Sequence, residues 1–67
     1  MIDFDYYRNK IKTGDSDDPS LAVYMVRDSL EVEKAGLVEE AWTLSREHCS
    51  REDALAFFDA LEKAVTA

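Results

Sequence analysis

A chain of 67 residues holds at most one domain, and it hides only about 60% of the surface its unfolded form exposes, so its core is small and a deep catalytic cleft is not expected. Fifteen acidic against eight basic side chains give a formal charge of −7, which disfavours direct contact with nucleic acid or an anionic membrane and favours a basic partner. The hydrophobic fraction of 46% is that of a folding sequence, while the lone Cys49 excludes an internal disulfide and a cysteine-based zinc centre.

The opening Met1-Ile2-Asp3-Phe4-Asp5 lacks the basic stretch and apolar run of a signal peptide, and no segment approaches a membrane span. With the free cysteine, this points to a soluble, cytoplasmic protein. The charge is spread over the whole body: only residues 1–12 are net positive, and 13–19 carry Asp15, Asp17 and Asp18 with no cation.

In the first segment Ile2, Phe4 and Tyr6 alternate as in a strand, whereas Phe4, Tyr7 and Ile11 follow helical spacing. A helix from Asp3 to Lys12 is preferred. Asp3 can cap it, Lys10 and Lys12 lie in its last turn, and Gly14 sits where a left-handed residue would end it. Residues 14–19 read as a loop, closing with Asp18 as N-cap and Pro19 at the first helical position.

From Ser20 the residues Val23, Val26 and Leu30 form an apolar stripe that Tyr24 and Met25 widen, and the pattern continues past Gly36 through Leu37, Val38, Ala41, Trp42 and Leu44. Lys34-Ala35-Gly36-Leu37 has the composition of a helix end, with glycine left-handed and Leu37 folded back on the last turn, so a break is expected there. Ser50 caps a terminal helix in which Ala54, Phe57, Phe58, Leu61 and Val65 recur at steps of three and four. The fold class expected is all-α, a small bundle of three to four short helices forming a single domain over residues 1–67. Trp42 and the Phe57-Phe58 pair are expected to supply much of its packing.

The candidates for chemistry are thin. Adjacent His48 and Cys49 would point about 100° apart on a helix and cannot readily share a proton, so Cys49 reads as a small apolar group and His48 as a helix-end or solvent residue. The spacings His48–Glu52 and Cys49–Asp53 suit metal ligands only on a continuous helix, which Ser50 interrupts. Asp15, Asp17 and Asp18 lack the glycine and distant glutamate of a calcium loop and fit turn and capping chemistry. The serines, Ser16 among them, have no activating histidine in a known motif, and no glycine-rich loop is present to hold phosphate. No catalytic residue, metal or cofactor is expected.

Glu33, Glu40 and Glu47 recur every seven residues and would align on one face of a continuous helix, with Asp28, Glu31 and Glu39 nearby. These six are the candidate partner-binding residues, although Arg27, Lys34 and Arg46 are close enough in sequence to neutralise part of the face and a plain solvated surface is the bland alternative. Asp59 and Lys63 read as an ordinary pair four residues apart.

The function expected is that of a non-enzymatic interaction protein, an inhibitor or regulator that meets the basic surface of a larger partner, in particular a nucleic-acid-binding one, through carboxylates and an exposed aromatic or two. In its sharpest form it imitates nucleic acid and blocks a basic channel, as anti-restriction and anti-CRISPR proteins of phages do; that analogy rests on size and charge alone. Two alternatives stand beside it: a homodimer or subunit whose helices complete a bundle with another chain, and a helix-turn-helix DNA reader, which Glu52 and Asp53 at the start of the final helix penalise.

Overall fold

In a computed structural model, which describes residues 2–15 and 17–66, the Asp3 carboxylate accepts the Tyr6 N–H at 3.1 Å and starts α1, Phe4–Thr13. That bond satisfies one of the four amides a helix start leaves without a partner, and helical spacing prevails over the strand-like alternation. Ser16, weighed above for its hydroxyl, lies outside the described residues.

Two expectations about the following loop are corrected. Gly14 is extended, at φ −86° and ψ −175°, not left-handed. Its need for glycine is steric: a Cβ would overlap the Asp18 carboxylate and approach the Lys10 carbonyl oxygen to 2.5 Å. The next helix, α2, covers Asp18–Val26, so that Asp17 and not Asp18 occupies the N-cap position and Pro19 lies one place further in, still where a missing N–H costs no helix bond. The Asp18 carboxylate instead accepts the Asp15 N–H at 2.9 Å.

The stripe beginning at Ser20 is cut at Arg27–Ser29, and α3, Leu30–Ala35, starts in a new direction. The Ser29 N–H bonds the Val26 carbonyl, closing the turn. Leu30, assigned to the buried stripe, is 57% exposed, and Val32 is buried in its place. The break at Gly36 is as expected: its φ is +73°, its N–H bonds the Glu33 carbonyl, and the Leu37 N–H reaches back to Val32 at 3.1 Å. These two bonds satisfy carbonyls that the helix end would otherwise leave open, and Leu37 packs back against the core. Helices α4, Val38–Arg46, and α5, Arg51–Thr66, complete five among the described residues where three or four were expected. The all-α class stands.

Ser50 Oγ accepts the Asp53 N–H at 3.1 Å and caps α5. This longest helix packs against all four others, and its buried residues Ala54, Phe57, Phe58 and Leu61 meet Phe4, Ile11, Val23 and Val32 in one apolar core. Both phenylalanines are buried, edge to face, and Tyr7 stacks on Phe58 with ring centroids 5.4 Å apart. Trp42, expected in the core, is 40% exposed. On the surface Arg8 of α1 bridges to Asp59 and Glu62 of α5, so Asp59 turns to Arg8 where a pairing with Lys63 was expected. The hydrogen bond to Glu62 holds the Arg8 guanidinium above its ordinary value, opposed in part by desolvation and aided less strongly by the hydrogen bond to Asp59. No described helix is long and apolar enough to cross a membrane.

The two glycines differ in what they prevent, and substitution separates them. Gly14→Ala overpacks a closed corner and is expected to cost about 1–3 kcal/mol. Gly36→Ala meets open space and is expected to lose about 1–2 kcal/mol to left-handed strain alone, part of which Gly36→Asn recovers. Urea unfolding followed by circular dichroism measures all three; equal stability of Gly36→Ala and wild type would contradict the strain account.

Candidate functional site

Helix α2 contains six consecutive apolar residues, Leu21 to Val26. A helix apolar all round cannot bury every side against one small core. Ala22, Val23 and Val26 are buried, while Leu21, Tyr24 and Met25, at helical steps of three and one, remain 44%, 52% and 55% exposed. α2 therefore has two apolar faces, and only one of them is used by the fold.

Of these three, Met25 lines a groove with Ile2 and with Tyr6 and Tyr7 of α1, whereas Tyr24 lies beside α4, the neighbour α2 packs against most extensively. Val38 and Trp42, one turn apart on α4, are both exposed. Between the helices lies Arg27, its guanidinium carbon 4.2 Å from the Tyr24 ring centre and 3.8 Å from that of Trp42. Its Nη1 donates to Ser45 Oγ at 3.1 Å, and that hydroxyl donates to the Trp42 carbonyl. Tyrosine, arginine and tryptophan are thus stacked in a fixed order at the surface, the three residue types that dominate binding energy at protein interfaces. Arg27 Nε and Ser29 Oγ are buried without a hydrogen-bond partner among the described residues. Such atoms cost about 1–3 kcal/mol each, and departures from local rules of this kind concentrate at functional sites.

The six carboxylates expected to form the partner surface are distributed over several grooves. Asp28 and Glu33 line the same groove as Arg27, Val38 and Trp42, and so border the aromatic stack. Glu31 faces away, toward Tyr6 and Met25 on one side and Lys34 and Val65 on the other. Glu39 and Glu40 line a separate groove against α5. Glu47 follows α4, where its backbone carbonyl accepts the Ser20 hydroxyl at 2.6 Å. Because the helix breaks at Gly36, the seven-residue line through Glu33, Glu40 and Glu47 is not continuous. Among the described residues none of the six is in an ion pair. Of the cations expected to neutralise the face, Arg27 is held by the aromatic rings, Lys34 lines a groove with Glu31, and Arg46 is exposed.

His48 and Cys49 lie in the link between α4 and α5, off any helix. His48 Nδ1 is 3.3 Å from the Asp17 carboxylate, and both side chains are exposed. The Cys49 N–H donates to Ser20 Oγ at 2.9 Å, while its thiol is half-buried against the core. The two side chains serve different contacts. Among the described residues no group of three or more His, Cys, Asp or Glu is placed to hold a metal ion.

Sequence reasoning reaches the stack only in part: Tyr24 is among the aromatics, with Tyr7 and one of the Phe57-Phe58 pair, expected at an interface, whereas it assigns Trp42 to the packing and Arg27 to neutralising the acidic face. The signal that would have found the stack is the absence of any polar position between Leu21 and Val26. No known family model, characterised protein or solved structure matches the chain.

The stack can be tested without a partner. Arg27→Ala is expected to destabilise the chain by about 1 kcal/mol, from two cation–π contacts and one hydrogen bond. Combined with Trp42→Ala in a double-mutant cycle, it is expected to show a coupling of about 0.5–2 kcal/mol. Strict additivity in thermal unfolding would mean that guanidinium and indole do not interact.

Proposed function

We propose that this chain is a non-enzymatic interaction protein that inhibits or regulates a larger partner, docking on it through the Tyr24–Arg27–Trp42 stack with Asp28 and Glu33 as its acidic border. The observation that carries this reading is exposed Tyr24 on the second apolar side of α2, joined through Arg27 to exposed Trp42 and bordered by Asp28 and Glu33, neither of them in an ion pair among the described residues. Buried aromatic anchors supply most of the affinity of an interface, and a charged rim supplies orientation and association rate. The chain's net charge of −7 makes the complementary surface a cationic one with apolar pockets between its lysines and arginines.

Nucleic-acid imitation requires carboxylates repeated along one face, whereas Glu33 and Glu40 line different grooves. The geometry favours docking by anchor and rim.

Capture from a lysate of the source cells at low and high salt tests the reading. A basic protein should be retained and should weaken as salt rises, and Trp42→Ala should reduce its retention about 30-fold or more, as for an interface hot spot. Asp28→Asn with Glu33→Gln should mainly slow association and flatten the salt dependence. Capture indifferent to both salt and Trp42→Ala sinks the proposal. A dimer in light scattering that Trp42→Ala dissolves would instead assign this face to a second copy of the chain.

A further inference from the structure

A groove of about 480 Å³ runs between α4 and α5 on the side of α4 away from Val38 and Trp42. Leu37 and Leu44 on one wall and Ala56, Phe57 and Ala60 on the other give it an apolar lining, kept open because two of the α5 positions are alanine. Glu39 and Glu40 stand on the α4 wall and Asp53 on the α5 wall, none of them paired with a cation among the described residues.

We propose that this groove is a second docking surface, independent of the aromatic stack, and that its occupant is a basic amphipathic helix of a partner protein. Three features select that occupant. The groove is open to solvent along its length, so it cannot enclose the 70–90% of a small ligand's surface that tight binding of a small molecule requires (about that share in typical pockets). No strand edge exists among the described residues to hydrogen-bond an extended peptide, so an incoming segment must satisfy its own backbone, as a helix does. Leu37 to Leu44 and Asp53 to Ala60 each span about two helical turns, roughly 10 Å, which matches the reach of apolar residues at positions i, i+3 or i+4, and i+7 on one helix face. Carboxylates on both walls then meet lysines or arginines flanking that apolar face and repel an acidic helix.

The test uses the whole chain, isotope-labelled, and three synthetic peptides of about 15 residues, long enough to turn helical on binding. The first carries leucines at helical spacing flanked by lysines, the second replaces the lysines by glutamates, and the third scrambles the first. The lysine peptide should shift the amide resonances of Leu37, Glu40, Leu44, Phe57 and Ala60. The other two should bind at least about tenfold more weakly, a difference of about 1.4 kcal/mol. Ala60→Arg, at an exposed position, should weaken the first peptide by a similar factor with the circular dichroism spectrum unchanged, and Ala56→Arg provides the same block should Ala60→Arg disturb folding. Trp42→Ala should leave this binding intact, which separates the groove from the stack. Equal binding of the scrambled peptide, shifts confined to the α2 face, or no binding at millimolar peptide would each overturn the proposal.

Discussion

Burial of one face of α5 organises everything else in this small protein. Phe57, Phe58 and Leu61 place two large rings and a branched aliphatic side chain within about one turn of each other, and the remaining helices are too short to hold together without them. Helices of six to ten residues are unstable alone in water and draw their stability from packing. Each of them touches α5. The Tyr7 ring stacked on Phe58, with Arg8 reaching the carboxylates of Asp59 and Glu62, fastens α1 along the same helix by apolar contact inside and charge outside.

That arrangement also explains why apolar surface is left over. A core built on one helix face has room for one side of each surrounding helix, and α2 presents apolar residues on two. Its surplus side, with Trp42 from α4, is where the chain departs most from the rule that large apolar groups go inside. The departure is ordered: a guanidinium is fixed between the rings, and a serine hydroxyl fixes the guanidinium. A solubilising surface does not need such positioning, whereas an anchor that must meet a partner in one orientation does.

Much of the fold was legible because its signals are local. Asp3, Ser50 and Gly36 act on backbone groups within a few residues, so cap chemistry read from neighbours is sufficient to place them. The periodicity of α5 was equally plain. The turn at Arg27–Ser29 was not, since it contains no glycine or proline, and nearby packing, with Arg27 drawn between Tyr24 and Trp42 and Val32 buried in place of Leu30, is tertiary. Gly14 misled for a related reason: its constraint comes from the Asp18 carboxylate four residues on, a matter of space and not of backbone sign. As for the candidate site, charge counting named Asp28 and Glu33 among six carboxylates but could not tell which of them share a surface. The position of Gly36 decides that, by turning α4 away from α3.

Trp42 is the only indole in the chain, and it sits at the proposed contact, not in the interior. In most small domains the lone tryptophan is a gauge of global unfolding. Here its ultraviolet emission responds to the surroundings of the half-exposed ring beside Arg27, so a spectral change at constant helicity signals an event that reaches that face without unfolding.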